Sequence, residues 1–402
     1  MTAQNEWYFV TDVITWGQKR MNAKLALYSA VDDELTRYEV DVEGASLVRR
    51  ETIKVLANVQ YAWPHPSGKY LYVATSNRGP GLKADFNRVS AFTVDAITGA
   101  LSPHGEPAKQ YARAVHICVN PAGDYLLSAH NLPKTGITVN RINADGTIGR
   151  EIQQPEDLDY GIYPHQVMMT PSNRVTILVD RGNSAHEGKA EDPGALRLFR
   201  FNDGLFSVPA VVAPNGGYGF GPRHLDFHPD KPWVYVSLER QSMLNMFRMY
   251  ADSMEPQAAY ARDMLQNRQS MKGRQLAGTV HVHSNGRFVY SVNRADDTAG
   301  ENSIAVYALD QATGEPTPIQ HADTHSIHVR TFAIDPSGRL LVAASVKAID
   351  ARTSAAVTRI PASLTVFRIS DDGKLEFVRK YDVEHADRTQ YWMGIVNLPD
   401  AT

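Results

Sequence analysis

Cysteine is almost absent from this 402-residue chain, where Cys118 stands alone. One thiol forms no intramolecular disulfide, and a Cys₂ or Cys₄ zinc site is excluded. An excess of one charge is missing too. The 41 Lys and Arg against 44 Asp and Glu leave a net charge of −3, so the whole chain presents no electrostatic footprint for DNA or RNA. No apolar run approaches the ~18–20 residues of a spanning helix, which argues against a membrane protein. The opening MTAQNEWYFV lacks a basic region followed by an apolar core, so no export signal is read and the expected compartment is the cytoplasm. No GxSxG elbow, phosphate loop or dinucleotide fingerprint occurs. With 43% hydrophobic and 21% charged residues, the chain has the composition of a folded protein and not of a disordered one.

What the chain does contain is a repeat. One segment type recurs seven times: LTRYEVD (35–41), VSAFTVD (89–95), ITVNRIN (137–143), LRLFRFN (196–202), LNMFRMY (244–250), IAVYALD (304–310) and LTVFRIS (364–370). Each alternates with period two, the pattern of a half-buried strand. Six carry an aromatic at the fourth place (Tyr38, Phe92, Phe199, Phe247, Tyr307 and Phe367), and Asn140 is the exception. A second element precedes most of them: PSGKYLYVAT (66–75), PAGDYLLSAH (121–130), PSNRVTILVD (171–180), PDKPWVYVSL (229–238), SNGRFVYSVN (284–293) and PSGRLLVAAS (336–345). Pro and Gly two residues apart fit tight turns between antiparallel strands. The expected turn residues are Gly68, Gly123, Asn173, Lys231, Gly286 and Gly338, at intervals of 50–58 residues, and the length holds about seven such units.

The seventh unit is split between the termini. YWMGIVNLPD (391–400) resembles the strand before each turn, and WYFVTD (7–12) resembles the strand after it. Joining the last strand to the first three closes a ring and hides both sheet edges. The expected fold is all-β: one seven-bladed β-propeller of four-stranded blades spanning 1–402. The copies differ by insertions. The polar stretch 184–194 is expected to be a loop, 252–276 a short helix or a lid, and 13–24 a further loop.

The repeat also locates candidate chemistry. Eight residues before each turn residue stand Gln60, Val115, His165, Arg223, Gly278 and Arg330; eight after stand Ser76, Asn131, Arg181, Glu239, Arg294 and Val346. In a regular hairpin, residues equidistant from the turn lie side by side, so all twelve are expected at one mouth of the ring. Positions further in are apolar, among them Ile117, Val167, Leu225, Val280 and Phe332. Four arginines (Arg181, Arg223, Arg294, Arg330) against one Glu239 make a positive pocket suited to a small anion, because guanidinium forks bind carboxylate or phosphate in a bidentate way. His165 and Glu239 are the groups left to move protons, with nearby Arg holding Glu239 ionised unless burial opposes it. Taken singly, each residue also reads as an ordinary surface charge or strand cap. Unrelated surface charges would not choose matching repeat positions. His281 and His283 face one side of a strand as a metal pair does, but no carboxylate partner is evident and no metal is expected. Cys118 reads as a small buried thiol rather than a nucleophile.

GPRHLDFHP (221–229), VYVSLE (234–239), FVYSVNR (288–294) and VRTFAIDPSGRLLVAAS (329–345) resemble the seven-bladed lactonase family. That family groups propeller-type 6-phosphogluconolactonases with 3-carboxy-cis,cis-muconate lactonizing enzymes. The resemblance covers essentially the whole chain and is strongest from about 160 to 370. It implies a catalytic set of one His, two Arg and one Glu, which fall on His165, Arg223, Glu239 and Arg294, the residues the repeat had already selected. Arg181, Arg330, His224, Asn131 and His281 are the expected substrate-binding residues. Two departures stand out: Leu238 replaces the family's usual Asn before the Glu, and Arg181 is a charge where a neutral residue is commoner.

The expected function is hydrolysis of a small anionic lactone of sugar-acid type, without cofactor and without nucleic-acid or membrane partners. Arg223 and Arg294 hold the anion and polarise the carbonyl; Glu239 or His165 activates water. The alternatives are a cycloisomerase that closes a muconate-type dicarboxylate into a lactone, and a non-catalytic propeller that binds a partner.

Overall fold

The computed structural model describes residues 24–79, 85–352, 357–383 and 388–400. Among the described residues its strands form seven antiparallel blade sheets in sequence order around one axis, plus a separate two-stranded hairpin, Ile349–Arg352 with Val357–Ile360. Blade 2 shows the plan: Asn58–Pro64 innermost, then Tyr70–Ser76, Asn87–Val94 and Leu101–Lys109 outermost. The seven inner strands are Asn58–Pro64, Ala114–Val119, Pro164–Met169, Pro222–Phe227, Gln275–Val282, Val329–Ile334 and Gln390–Asn397. Each packs on the next, and the last packs on the first.

All seven repeated segments lie on the third strand of a blade. The six aromatics at their fourth place are buried between blades, and Asn140 is buried in the exceptional copy. Five expected turn residues, Gly68, Gly123, Asn173, Gly286 and Gly338, have positive φ. Lys231 does not. Flanked by Asp230 and Pro232, its carbonyl accepts from Trp233 N–H (2.8 Å), a different turn that needs no left-handed residue.

Closure occurs where the sequence placed it, with one correction. The C-terminal strand Gln390–Asn397 is the innermost strand of blade 1 and pairs with Leu25–Val31, which then pairs with Glu34–Asp41. The strand after the closing one is therefore 25–31. The segment 7–12, assigned to it from sequence, lies outside the described residues, as does 13–23 of the expected loop 13–24.

The insertions are modest. The stretch 184–194 is a loop pinned by bridges between Asn183 and Asp192 and between His186 and Lys189. The region 252–276 is neither helix nor separate lid. It supplies the outer strand of blade 5, Tyr260–Asp263, then one 3₁₀ turn, Arg268–Ser270, and Met254 and Met264 are buried.

Candidate active site

The inner strands share an irregularity that builds the site. Pairing with the second strand skips one residue near the mouth of six blades: Gln60, Val115, His165, Arg223, Arg330 and Tyr391. In blade 6 it skips two, Gly278 and Thr279. A β-bulge leaves its extra residue unpaired and re-aims the side chain. Here it aims at the axis: Gln60, Val115, His165, Arg223, Thr279, Arg330 and Tyr391 all line one cavity, with Tyr61, His224, Thr331 and Trp392. The count of eight back from each turn had reached the bulged residue. Arg223 and Glu239 are consequently not a cross-strand pair as the regular-hairpin count implied; Pro222 pairs with Leu238, and Glu239 lies one residue beyond.

Three of the four expected arginines converge on Glu239. Its Oε1 accepts from Arg223 Nε (3.0 Å) and Arg294 Nη2 (2.5 Å), and its Oε2 accepts from Arg181 Nη1 (2.8 Å). Arg223 is 1% exposed and Glu239 5%, so the cluster is shielded from water. Burial opposes the carboxylate's charge, but Arg294, Arg223 and Arg181 outweigh it and hold the carboxyl down at about 2. Arg294 Nη1 also donates to His328 Nε2 (2.9 Å). The fourth arginine, Arg330, stands apart from Glu239. Its guanidinium carbon lies 3.7 Å over the ring of Tyr391.

His165 and His224 face each other in the cavity with ring centroids 5.3 Å apart, and His116 lies 6.0 Å from His224. Burial, with Arg223 adjacent, pushes the imidazoles of His165 and His224 well below the usual range, so both are neutral. His165 Nδ1 and Arg223 Nη1 are buried without a hydrogen-bond partner among the described residues, so two side chains that line the cavity keep unused polarity.

Of the expected site residues, only His165, Arg223, His224 and Arg330 line the cavity itself; Glu239, Arg181 and Arg294 form the ion cluster beside it, and two further binding residues, Asn131 and His281, also lie outside the wall. Asn131 is buried one layer behind, where its Oδ1 accepts from Arg113 Nη2 (3.5 Å) while Arg113 Nη1 donates to cavity-lining Gln60 (3.0 Å). His281 lies further along the channel. It does have a carboxylate partner, contrary to the sequence reading: Nδ1 is 3.3 Å from Asp226 Oδ2. His283 is committed elsewhere, with Nε2 2.8 Å from the Gly338 carbonyl of the next blade. Cys118 is buried, and burial pushes its thiol up to about 12.

Sequence reasoning missed Arg113, His116 and Tyr391. The seven-back count would have found His116, in register with His224 and Thr331. Tyr391 had no turn to count from, because its hairpin partner sits at the other end of the chain.

Compared with known proteins, residues 25–355 match the family described as lactonase, 7-bladed β-propeller. The 6-phosphogluconolactonase of Bacillus subtilis is 24% identical over 328 residues, covering 77% of this chain and 83% of that protein. The 6-phosphogluconolactonase of Pectobacterium carotovorum subsp. carotovorum is 28% identical over 315 residues, covering 77% and 84%. Among solved structures, the periplasmic gluconolactonase of Pseudomonas aeruginosa shares the fold, with a TM-score of 0.68 and 20% identity over 94% of this chain and 100% of that one. No helix among the described residues is long and apolar enough to cross a membrane.

Proposed function

Because the chain belongs to the seven-bladed β-propeller lactonase family, we propose that it hydrolyses a small anionic lactone of the sugar-acid type at the mouth of its central channel. The observation that carries this reading is the surplus of guanidinium groups in and directly around the cavity, which Arg223 and Arg330 line. Glu239 occupies part of Arg181, Arg223 and Arg294, while Arg330 and Arg113 have no carboxylate partner among the described residues. Uncompensated cations in a water-poor site favour an anionic ligand and stabilise negative charge that develops during reaction.

The geometry supports a division of roles. Arg223 Nη1 is the unpartnered buried donor, suited to the carbonyl oxygen as it becomes an oxyanion. In this reading Arg330, which lines the cavity, takes the anionic substituent, and Arg113, held against Gln60, adds positive charge behind the wall. Glu239 is the counter-ion that fixes three arginines, and its low-lying carboxyl keeps it from carrying a proton near neutral pH. His165, neutral and lacking a partner at Nδ1, is a hydrogen-bonding group for substrate or water.

The test is a substrate panel. Opening of 6-phosphogluconolactone and gluconolactone is followed by proton release, and carboxymuconate consumption by ultraviolet absorbance. Hydrolysis is expected, with kcat/KM higher for the phosphorylated lactone, and Arg223→Ala should lower it by about 10²-fold or more, as for loss of an oxyanion donor. Turnover of carboxymuconate alone would favour the cycloisomerase. Inertness toward every lactone and toward carboxymuconate would leave a binding propeller.

A further inference from the structure

The ring of bulged residues has seven members, and the one supplied by the closing strand is a tyrosine. Tyr391 is skipped in the pairing of Gln390–Asn397 with Leu25–Val31, as Arg223 and His165 are in their own blades, and it lines the same cavity. We propose that Tyr391 is the residue that carries the proton in lactone opening, and that Arg330 is its positioning partner. The inference rests on the lactonase reading above.

Two observations place it there. First, the other candidates are less suited: both oxygens of Glu239 hold arginines, and His165, though unpartnered at Nδ1, sits buried among Arg223, His224, Arg181 and Arg330, where gaining a proton and its positive charge is disfavoured. Second, among the described residues the charged side chains that act most strongly on Tyr391 are all cations. Arg330 comes from Val329–Ile334 and stacks 3.7 Å over the ring; Arg113 precedes Ala114–Val119 and is held by Gln60; Arg223 faces across the axis. The nearby Asp32 carboxylate accepts from Thr389 N–H (3.2 Å). Tyr61, on the adjacent inner strand, is a neutral phenol. The two phenols respond in opposite directions. Burial pushes Tyr61 up, whereas at Tyr391 burial is outweighed by Arg330, Arg113 and Arg223 and the phenol is drawn down. A base drawn toward the working pH is the better proton carrier.

The step balances with water as the only co-reactant. The Tyr391 phenolate takes a proton from water as the water oxygen bonds to the lactone carbonyl carbon. The acyl–oxygen bond to the ring then breaks, and Tyr391 returns the proton to the ring oxygen. The product is the open hydroxy acid, whose carboxyl proton goes to solvent.

The test is Tyr391→Phe in the full chain, with folding checked by circular dichroism. After subtraction of the spontaneous rate, kcat is expected to fall by about 10²–10³-fold. KM should move by less than threefold, a ~ figure below 1 kcal/mol of binding, and the rising alkaline limb of the kcat profile should vanish. Independently of turnover, ultraviolet titration of the unliganded protein should show one tyrosine ionising below the ordinary phenol range. That signal should be lost in Tyr391→Phe and moved to higher pH in Arg330→Met. If Tyr391→Phe keeps wild-type kcat and pH profile, the proposal is overturned and the lactonase reading stands. If the wild type opens no lactone, both fall.

Discussion

At the residue scale the site turns on Glu239. One carboxylate at 5% exposure takes hydrogen bonds from three guanidinium groups, so its charge orders the arginines as much as theirs orders it. Glu239→Gln removes that charge while keeping the shape. Three cations are then left facing each other in a dry site, and breaking a buried ion network of this kind costs about 3–5 kcal/mol. The variant is expected to melt well below wild type and to regain much of the loss when inorganic phosphate is added, since an anion binding only the folded state stabilises it by mass action. Thermal melts with and without phosphate check this; wild-type stability in Glu239→Gln would show that the network does not hold the site together. Cys118 gives the opposite case. Its buried thiol is pushed up to about 12, so almost no thiolate exists at neutral pH. Iodoacetamide is expected to leave lactone opening unchanged over hours, and fast inactivation would contradict the burial.

At the element scale, blades are joined by two kinds of clasp on the rim opposite the site. Tyrosines of second strands reach the next blade: Tyr28 donates to the Gly99 carbonyl (2.6 Å), Tyr72 to Gly146 (2.9 Å), Tyr235 to Gly314 (2.8 Å) and Tyr290 to Gly373 (2.8 Å). Just past the inner strands, His65 and His228 reach the next blade's turn carbonyls at Gly123 and Gly286, both at 2.9 Å. A Cβ on either glycine would sit 2.6 Å from that histidine's Nε2, so only glycine lets the clasp close. Tyr290→Phe leaves a buried carbonyl unpaired and is expected to cost about 1–2 kcal/mol in urea unfolding without altering KM for the lactone. No change in midpoint would mean that water replaces the hydroxyl. These clasps explain what was legible from sequence. Period-two strands, the aromatic of the third strand and the Gly at the turn are local demands, and each leaves a mark in its own segment. The bulge leaves none, because it is a matter of pairing between segments. The eight-residue count found Arg223, His165 and Arg330 without showing why they point inward, and it took Asn131 to the wall although Asn131 is bonded to Arg113 behind the lining residue Gln60. Tyr391 was invisible to any count within one unit, since its unit is divided between the two ends of the chain.

At the scale of the whole molecule, closing a ring around a narrow axis buries histidines that a flatter fold would leave wet. His116 is drawn down to about 3, and His130 and His328 to about 4, in each case first by burial. His65, His165, His224, His228 and His283 are lowered too, again with burial as the first cause. A histidine whose folded value lies below its unfolded one, about 6.5, contributes fully above that pH and loses the contribution as pH falls toward the folded value. For the fully buried His130, a drop from 6.5 to about 4 corresponds to roughly 3 kcal/mol. Glu239 works in a lower window, contributing fully above its ordinary carboxylate range and losing that only as pH falls toward about 2. The histidines therefore fail first. Against a total stability on the order of 5–15 kcal/mol, several such groups protonating together outweigh the rest. The melting temperature is expected to be level from pH 8 to 7 and then to fall by at least ~5 °C by pH 5, with acid unfolding complete while Glu239 is still ionised. Melts at unit pH steps measure it. A midpoint constant down to pH 5 would require these imidazoles to be hydrated in the folded ring, and would count equally against the dry axial cavity on which the site's electrostatics depend.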